Sequence, residues 1–330
     1  KTKHNEVAPA QHELATIYTT TNVAVDNNQL TMEIMKRVAE KHGLVCLLHE
    51  KPFEGINGSG KHNNWSLSTN TGENLLDPDR DPAKNLQFLL FLFATIKAVD
   101  VYGDLLRVSV ATAGNDHRLG GNEAPPAIVS MFIGDDLEAV LDIVEKDLES
   151  EAKEVQTMKP GAKVLPHFIK DTTDRNRTSP FAFTGNRFEF RAAGSSANCA
   201  AAMIAINAAM ANQLNEFKVS IEKLMEEGVG KDEAIFRILK ETIIASEPIR
   251  FEGDGYSEQW KQEAASRGLT NICHVPEALM RYMDDQARSV LIGERIFNET
   301  ELACRLEVEL EKYTMKVQIE SRVLGDLAIN

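Results

Sequence analysis

"GINGSGKHNNWS", Gly55 to Ser66, is the stretch on which the reading turns. Gly55-x-x-x-x-Gly60-Lys61 spells all but the last position of a phosphate-binding P-loop. A P-loop needs Ser or Thr directly after the lysine, and then a helix whose N-terminus faces the phosphates. Here His62 follows Lys61, and the next residues, Asn63-Asn64-Trp65-Ser66-Leu67-Ser68-Thr69, are poor helix formers that alternate in polarity. The stretch therefore predicts a glycine loop running into a strand. With a period of two, His62, Asn64 and Ser66 share one face, and Lys61, Asn63, Trp65 and Leu67 the other. A polar face with an imidazole nearest the glycines suits the wall of a site, and equally a hydrogen-bonded polar edge strand.

Working outward, strands are expected early and helices late. His4 to Thr20 reads as extended with a break at Ala8-Pro9-Ala10, because proline cannot donate to a ladder. Asp26 is a candidate N-cap for an amphipathic helix to His42, with Leu30, Ile34 and Val38 in one stripe and Gly43 at its end. "LVCLLH" (44–49) reads as a short buried strand. Asp81-Pro82 opens a helix to about Tyr102, and a second helical stretch reaches about Ala113. "AIVSMFI" (127–133) and "NRFEFRA" (186–192) read as strands, with a helix between them from Asp135 to Ser150. After about residue 195 the chain is mainly helical: Ser196 to Glu227, Lys231 to Ser246, Tyr256 to Arg267, Pro276 to Ala287, and Glu299 to about Leu324. This order predicts an α+β fold, with helices packed around an antiparallel sheet.

The 330 residues are 43% hydrophobic and 26% charged, enough for a packed core of one large domain or two ordinary ones. A net charge of -14, from 50 acidic and 36 basic residues, argues against a nucleic-acid partner. The most apolar window, Leu86 to Ile96, falls short of the ~20 residues that span a bilayer, which argues against a membrane protein. Cys46, Cys199, Cys273 and Cys304 form no C-x-x-C pair and are expected as reduced thiols in a cytoplasmic protein. Neither end looks like a natural boundary, so a piece of a longer protein is expected.

Three further clusters carry chemistry. Glu6 and Glu13 in "HNEVAPAQHE" are seven apart, so a straight strand would point them to opposite faces; the Pro9 break lets both reach one hard cation. In "RFEFR", Arg187, Glu189 and Arg191 share one face and Phe188 and Phe190 the other. The Phe face belongs in a core, and the charged face is either solvated or a site wall where Arg can grip phosphate or carboxylate. Arg118 and Glu123 in "DHRLGGNEAPP", with Arg175 and Arg177 in "TDRNRTSPFAF", place charge in Gly- and Pro-rich loops.

Taken together, "KTKHNEVAPAQHE", "HEKPFEGINGSGKHNNWS", "RLGGNEAPPAI" and "NRTSPFAFTGNRFEFR" resemble the glutamine synthetase family, in particular its long type III class. They occur in family order over about the first two-thirds of the chain. The resemblance implies a glutamine synthetase/guanido kinase-like catalytic domain over residues 1–330, a curved antiparallel sheet surrounded by helices. It also implies that the chain is cut at both ends, lacks the N-terminal β-grasp-like domain, and is mainly helical over 195–330. The implied reaction joins ammonia to L-glutamate with ATP as co-substrate, through γ-glutamyl phosphate, using two or more Mg²⁺ or Mn²⁺ ions per site. The implied assembly is a homo-oligomer, a dodecamer of two hexameric rings.

By that resemblance, Glu6 and Glu13 match ligands of the metal nearest glutamate, and His62 and Glu189 ligands of the metal that holds the ATP phosphates. Asn57, Gly58, Arg118 and Arg191 match substrate contacts, Arg118 at the α-carboxylate. Asn64, Ser66 and Arg187 match nucleotide contacts, Asn64 standing where many members carry a second His. Glu123 matches the flap carboxylate that closes the site and takes the ammonium proton, and Arg177 the Arg that stabilises the transferred phosphoryl group. The spacing from Arg118 to Glu123 is one shorter than in bacterial type I enzymes, and the additional Arg that the family carries soon after Arg177 has no match in "TSPFAF". A partner Glu-x-Glu ligand pair belongs upstream of residue 1, so this stretch alone is expected to be inactive. The alternatives are a γ-glutamyl-amine ligase of the same superfamily and a non-catalytic structural relative.

Overall fold

The computed structural model describes residues 2–5, 10–121, 124–146, 157–158, 168–169 and 179–329. Strands β1 (Thr2–Asn5) and β2 (His12–Ala15) form an antiparallel hairpin in which His4 faces Glu13. The chain thus doubles back between Asn5 and His12, and the Pro9 break expected there lies outside the described residues. Helix α1 (Thr21–Lys41) starts a turn before the expected Asp26 cap, after an extended Thr20 that gives it no side-chain cap. It ends as expected at Gly43, whose φ of 66° only glycine adopts without strain. There Gly43 N–H donates to Glu40 O and Leu44 N–H to Ala39 O, a Schellman closure.

The expected strand at 44–49 does not form: these residues are irregular, with Leu44, Val45 and Leu47 exposed. An apolar run makes a strand only where a neighbouring ladder accepts it, and the next strand, β3 (Gly60–Trp65), pairs only with a later one. Asp81-Pro82 opens no more than a 3₁₀ turn, Pro82–Lys84. The long helix α2 (Leu86–Val101) starts separately, with the Asn85 side chain accepting Phe88 N–H at 3.0 Å. Asn85→Ala is expected to cost about 1 kcal/mol, the usual worth of an N-cap, read from the urea midpoint.

Helices α3 (Gly103–Ser109) and α4 (Ala113–Arg118) follow, then strand β4 (Met131–Phe132) and helix α5 (Asp135–Lys146). The expected strand at 127–133 is thus cut to two residues. A short pair, β5 (Thr157–Met158) and β6 (Phe168–Ile169), precedes β7 (Phe181–Phe183) and β8 (Phe188–Gly194). Helices α6 (Ala200–Glu226), α7 (Lys231–Ala245) and α8 (Glu258–Ser266) come next. The helix expected over Pro276–Ala287 is split into α9 (Val275–Met280), a 3₁₀ turn, and α10 (Asp285–Gly293). Helix α11 (Glu299–Ile329) is longer than expected.

The central sheet has the order β3-β8-β7-β4. It is not wholly antiparallel as expected: β4 runs parallel to β7, with Met131 opposite Phe181. Its core face is aromatic. Phe181, Phe183, Phe188 and Phe190 are all buried, with adjacent ring centroids 5.1 to 5.9 Å apart, and Phe88 of α2 packs on Phe183 at 6.2 Å. Each such ring removes apolar area from water worth roughly 1.5–3 kcal/mol. Behind it, α2 supplies Leu89, Leu92, Phe93 and Ile96, and α6 supplies Ala202, Ala205, Ile206 and Ala209. The aromatic face holds β8 rigidly, so the other face of the same strand is a fixed platform for polar groups.

Candidate active site

The alternation read from "KHNNWS" holds in three dimensions. Asn63 and Trp65 are buried while Asn64 and Ser66 are exposed. Asn64 lies opposite Glu189 on β8, and Trp65 opposite Phe188. This register brings His62 and Glu189 together on the polar face, with His62 Nδ1 3.8 Å from Glu189 Oε2. The same oxygen accepts Arg191 Nε–H at 3.1 Å. Both side chains of the first pair are 18% exposed, so solvent or a ligand can reach them.

Beside this pair, Arg187 Nε–H donates to Asn64 Oδ1 at 2.9 Å, and another guanidinium nitrogen donates to Asn186 Oδ1 at 3.0 Å. Ser66 Oγ donates to Asn74 Oδ1 at 2.6 Å, and Asn74 Nδ2 donates to the Asn186 carbonyl at 2.8 Å. Asn64, Ser66 and Arg187 therefore form one exposed patch, braced by Asn74 and Asn186, which the sequence reading did not single out. Arg187, a planar fork at the rim, suits phosphate recognition.

Arg118 stands elsewhere. Between Lys61 and Asn63 the β3–β8 register slips, leaving Arg191 and Ala192 as a bulge on β8. The carbonyls that the bulge frees are taken by α4: Arg118 donates to Arg191 O at 3.0 Å and Ala192 O at 3.3 Å, and Asn115 Nδ2 to Ala192 O at 2.9 Å. Arg118 is only 3% exposed, and burial pulls its guanidinium pKa down to about 10 against the opposing pull of Glu50. Gly58 and Gly60 cover it. A Cβ on Gly58 would lie 2.8 Å from Arg118 Cγ, and one on Gly60 would overlap the guanidinium. The glycines of the opening motif thus let the loop close over an arginine. Asn57 sits in that loop, half-buried, ahead of Gly58.

Lys61, which made the motif look like a P-loop, points away from the polar face. Its Nζ donates to Ala197 O and contacts Met32 Sδ at 3.2 Å, and burial lowers its pKa. Glu13 lies on β2, in a hairpin separate from the central sheet. Among the described residues it does not join His62 and Glu189 in a three-residue donor cluster. Glu6, Glu123, Arg175 and Arg177 lie outside the described residues. A hard cation about 2.1 Å from each of two donors sets them about 3.0 Å apart at adjacent octahedral positions and about 4.2 Å apart at opposite ones, so the His62–Glu189 spacing lies between the two and a small side-chain rotation would bring both donors into one shell.

A mixed sheet with an aromatic core face, and a polar face of imidazole, carboxylate and guanidinium groups, defines an α+β protein with a site suited to anions and hard cations. Comparison with known proteins is more particular. Residues 1–161 match the model of the glutamine synthetase catalytic domain, and residues 234–330 that of the glutamine synthetase C-terminal domain. The chain is 71% identical over its whole length to a glutamine synthetase of Bacteroides fragilis, of which it covers 46%. It is 48% identical to a glutamine synthetase of Butyrivibrio fibrisolvens and 47% identical to a type-3 glutamine synthetase of Dictyostelium discoideum, covering 46% and 44% of them. A solved structure titled as a GmaS/ADP complex superposes on 99% of this chain and 60% of its own, with a TM-score of 0.55 at 17% identity, which bears on the fold alone. The chain belongs to the glutamine synthetase family, in its type III class. It spans about half the length of the curated relatives it matches.

Proposed function

We propose that the whole protein joins ammonia to L-glutamate at the expense of ATP, giving L-glutamine, ADP and phosphate through γ-glutamyl phosphate. The observation that carries the reading is the His62–Glu189–Arg191 group set beside the Asn64–Ser66–Arg187 patch, in a chain so close to a Bacteroides glutamine synthetase. In the first step a γ-carboxylate oxygen of glutamate attacks the terminal phosphorus of ATP, and ADP leaves. Charge spreads over the transferred oxygens, and fixed guanidinium groups stabilise it without reorganising. Arg187, with Asn64 and Ser66, holds the nucleotide, and Arg177 stabilises the phosphoryl group. Asn57, Gly58 and Arg191 hold the amino acid, and Arg118, expected at the α-carboxylate but sealed beneath Gly58 and Gly60, braces them from behind. In the second step Glu123 takes a proton from ammonium, ammonia attacks the acyl carbon, and phosphate leaves.

The acyl phosphate is open to hydrolysis, which gives a flap carrying Glu123 a second purpose, excluding water. His62 and Glu189 would hold one divalent cation, with Glu6 and Glu13 serving another. Bound Mg²⁺ or Mn²⁺ would neutralise phosphate charge. The reading extends to a homo-oligomer, a dodecamer of two hexameric rings, working in the cytoplasm. Four free thiols, and the lack among the described residues of any helix long and apolar enough to cross a membrane, are compatible with that.

The test is an assay of γ-glutamyl products by the full-length protein, with ATP, glutamate, and either ammonia or small amines. Glutamine from ammonia is expected, at rates well above any amine product. Product from an amine and none from ammonia would replace this reading with a γ-glutamyl-amine ligase, and no product from either would leave a non-catalytic relative.

A further inference from the structure

Glu50, in the "HEKPF" run just before the glycine loop, has no exposed surface. Its Oε1 accepts the Ser196 backbone N–H at 3.0 Å and the Ser196 hydroxyl. Its main-chain carbonyl accepts Ser59 N–H at 2.7 Å, which closes the loop from 50 to 59. Glycines surround it. A Cβ on Gly114 of α4 would lie 2.6 Å from the Glu50 carboxyl carbon, and one on Gly194 of β8 2.8 Å from its Cγ. Three segments therefore meet on one carboxylate: the glycine loop, the start of α4, and the turn leading from β8 into α6.

A carboxylate buried this completely needs positive charge nearby, because its desolvation is otherwise uncompensated. Burial lowers the pKa of Arg118 and of Lys61, and the negative charge of Glu50 opposes both shifts. Arg118 is four residues along α4 from Gly114, and its aliphatic stem lies under Gly58. Each partner keeps one unmet polar atom, Oε2 on Glu50 and Nε on Arg118. The arrangement is specific in a way that packing alone does not require, since an apolar side chain of similar volume would fill the same space without demanding a donor.

We propose that Glu50 is a positioning residue. It locks the glycine loop, α4 and the β8–α6 turn together, and so sets where Asn57 and Gly58 stand and with them the grip on the amino-acid substrate. The proposal rests on the reading that Asn57 and Gly58 hold glutamate. It assigns no substrate contact to Glu50, which is sealed from solvent.

The test uses the full-length protein. Glu50→Gln keeps the shape and removes the charge. It is expected to raise KM for glutamate about tenfold or more while KM for ATP stays within twofold. Glu50→Asp, which keeps the charge on a shorter stem, is expected to fall between Gln and wild type. Gly114→Ala, which drives a methyl into the carboxylate, is expected to show the same split as Gln. If Glu50→Gln does not fold, Ser196→Ala carries the test, because it removes one donor to Oε1 and leaves the charge in place. A variant that folds with glutamate KM within twofold of wild type, or with both KM values raised equally, overturns the positioning role. Failure of the wild-type protein to turn over glutamate would instead sink the reaction on which the proposal rests.

Discussion

Replacing Glu189 by Ala in the full-length protein is expected to lower turnover about a hundredfold, the scale of removing one preorganised electrostatic group. It should also move the Mg²⁺ dependence to higher concentration. The geometry supplies the reason. Glu189 Oε2 lies 3.8 Å from His62 Nδ1, and both groups stand on paired strands whose other face is locked by four phenylalanines. Neither donor can drift far from the other. His62→Ala should therefore shift the Mg²⁺ dependence in the same direction. Glu189 also accepts from Arg191, so its loss takes one partner from a guanidinium that is only 3% exposed, which lowers turnover by a second route. The Mg²⁺ titration separates the two causes. Lower turnover with an unshifted Mg²⁺ dependence would place Glu189 behind Arg191 and remove it from the ligand set. Unchanged kinetics at limiting Mg²⁺ would remove it from the site altogether.

The polar wall was legible because alternation along a half-buried strand is a local property. "KHNNWS" and "RFEFR" state which side chains face together, and the core accepts the apolar half of each. The register between them was not legible. It depends on the bulge at Arg191 and Ala192, and the bulge is stable only because Asn115 and Arg118, more than seventy residues earlier, supply donors to the freed carbonyls. Nothing within "RFEFRA" announces that.

The strand expected at 44–49 failed for a related reason. "LVCLLH" has strand composition, but a strand needs a partner ladder, and among the described residues this segment does not dock on the open edge of β3. The same segment is followed directly by Glu50, an acidic residue close behind an apolar run. That local inconsistency was the one signal that could have drawn attention to it. Helix α1 shows the limit of amphipathic patterning. Leu30, Ile34 and Val38 form the stripe read from the sequence, yet they are 58, 48 and 45% exposed, so a stripe marks a face without saying what covers it.

Arg118→Ala is expected to damage both stability and substrate use. The guanidinium donates to Arg191 O and Ala192 O in a region closed to solvent, so truncation strands the Arg191 carbonyl, leaves the Ala192 carbonyl to Asn115 alone, and opens a void under Gly58 and Gly60. A stranded acceptor costs roughly 1–3 kcal/mol and the void adds to it, so a loss of about 3 kcal/mol is expected from urea unfolding. Because the loop over Arg118 carries Asn57 and Gly58, kcat/KM for glutamate should fall about a hundredfold or more, with a much smaller change in KM for ATP. Arg118→Lys is the sharper comparison. Lysine keeps the charge but cannot reach two carbonyls with a planar fork, so it should recover part of the stability and little of the glutamate affinity. If Lys restored glutamate use fully, charge at this position would suffice, and the fit between the bulge on β8 and the guanidinium would be incidental. If Ala left the protein stable and active, the carbonyls of Arg191 and Ala192 would have other donors, and the glycines at 58 and 60 would need a different explanation.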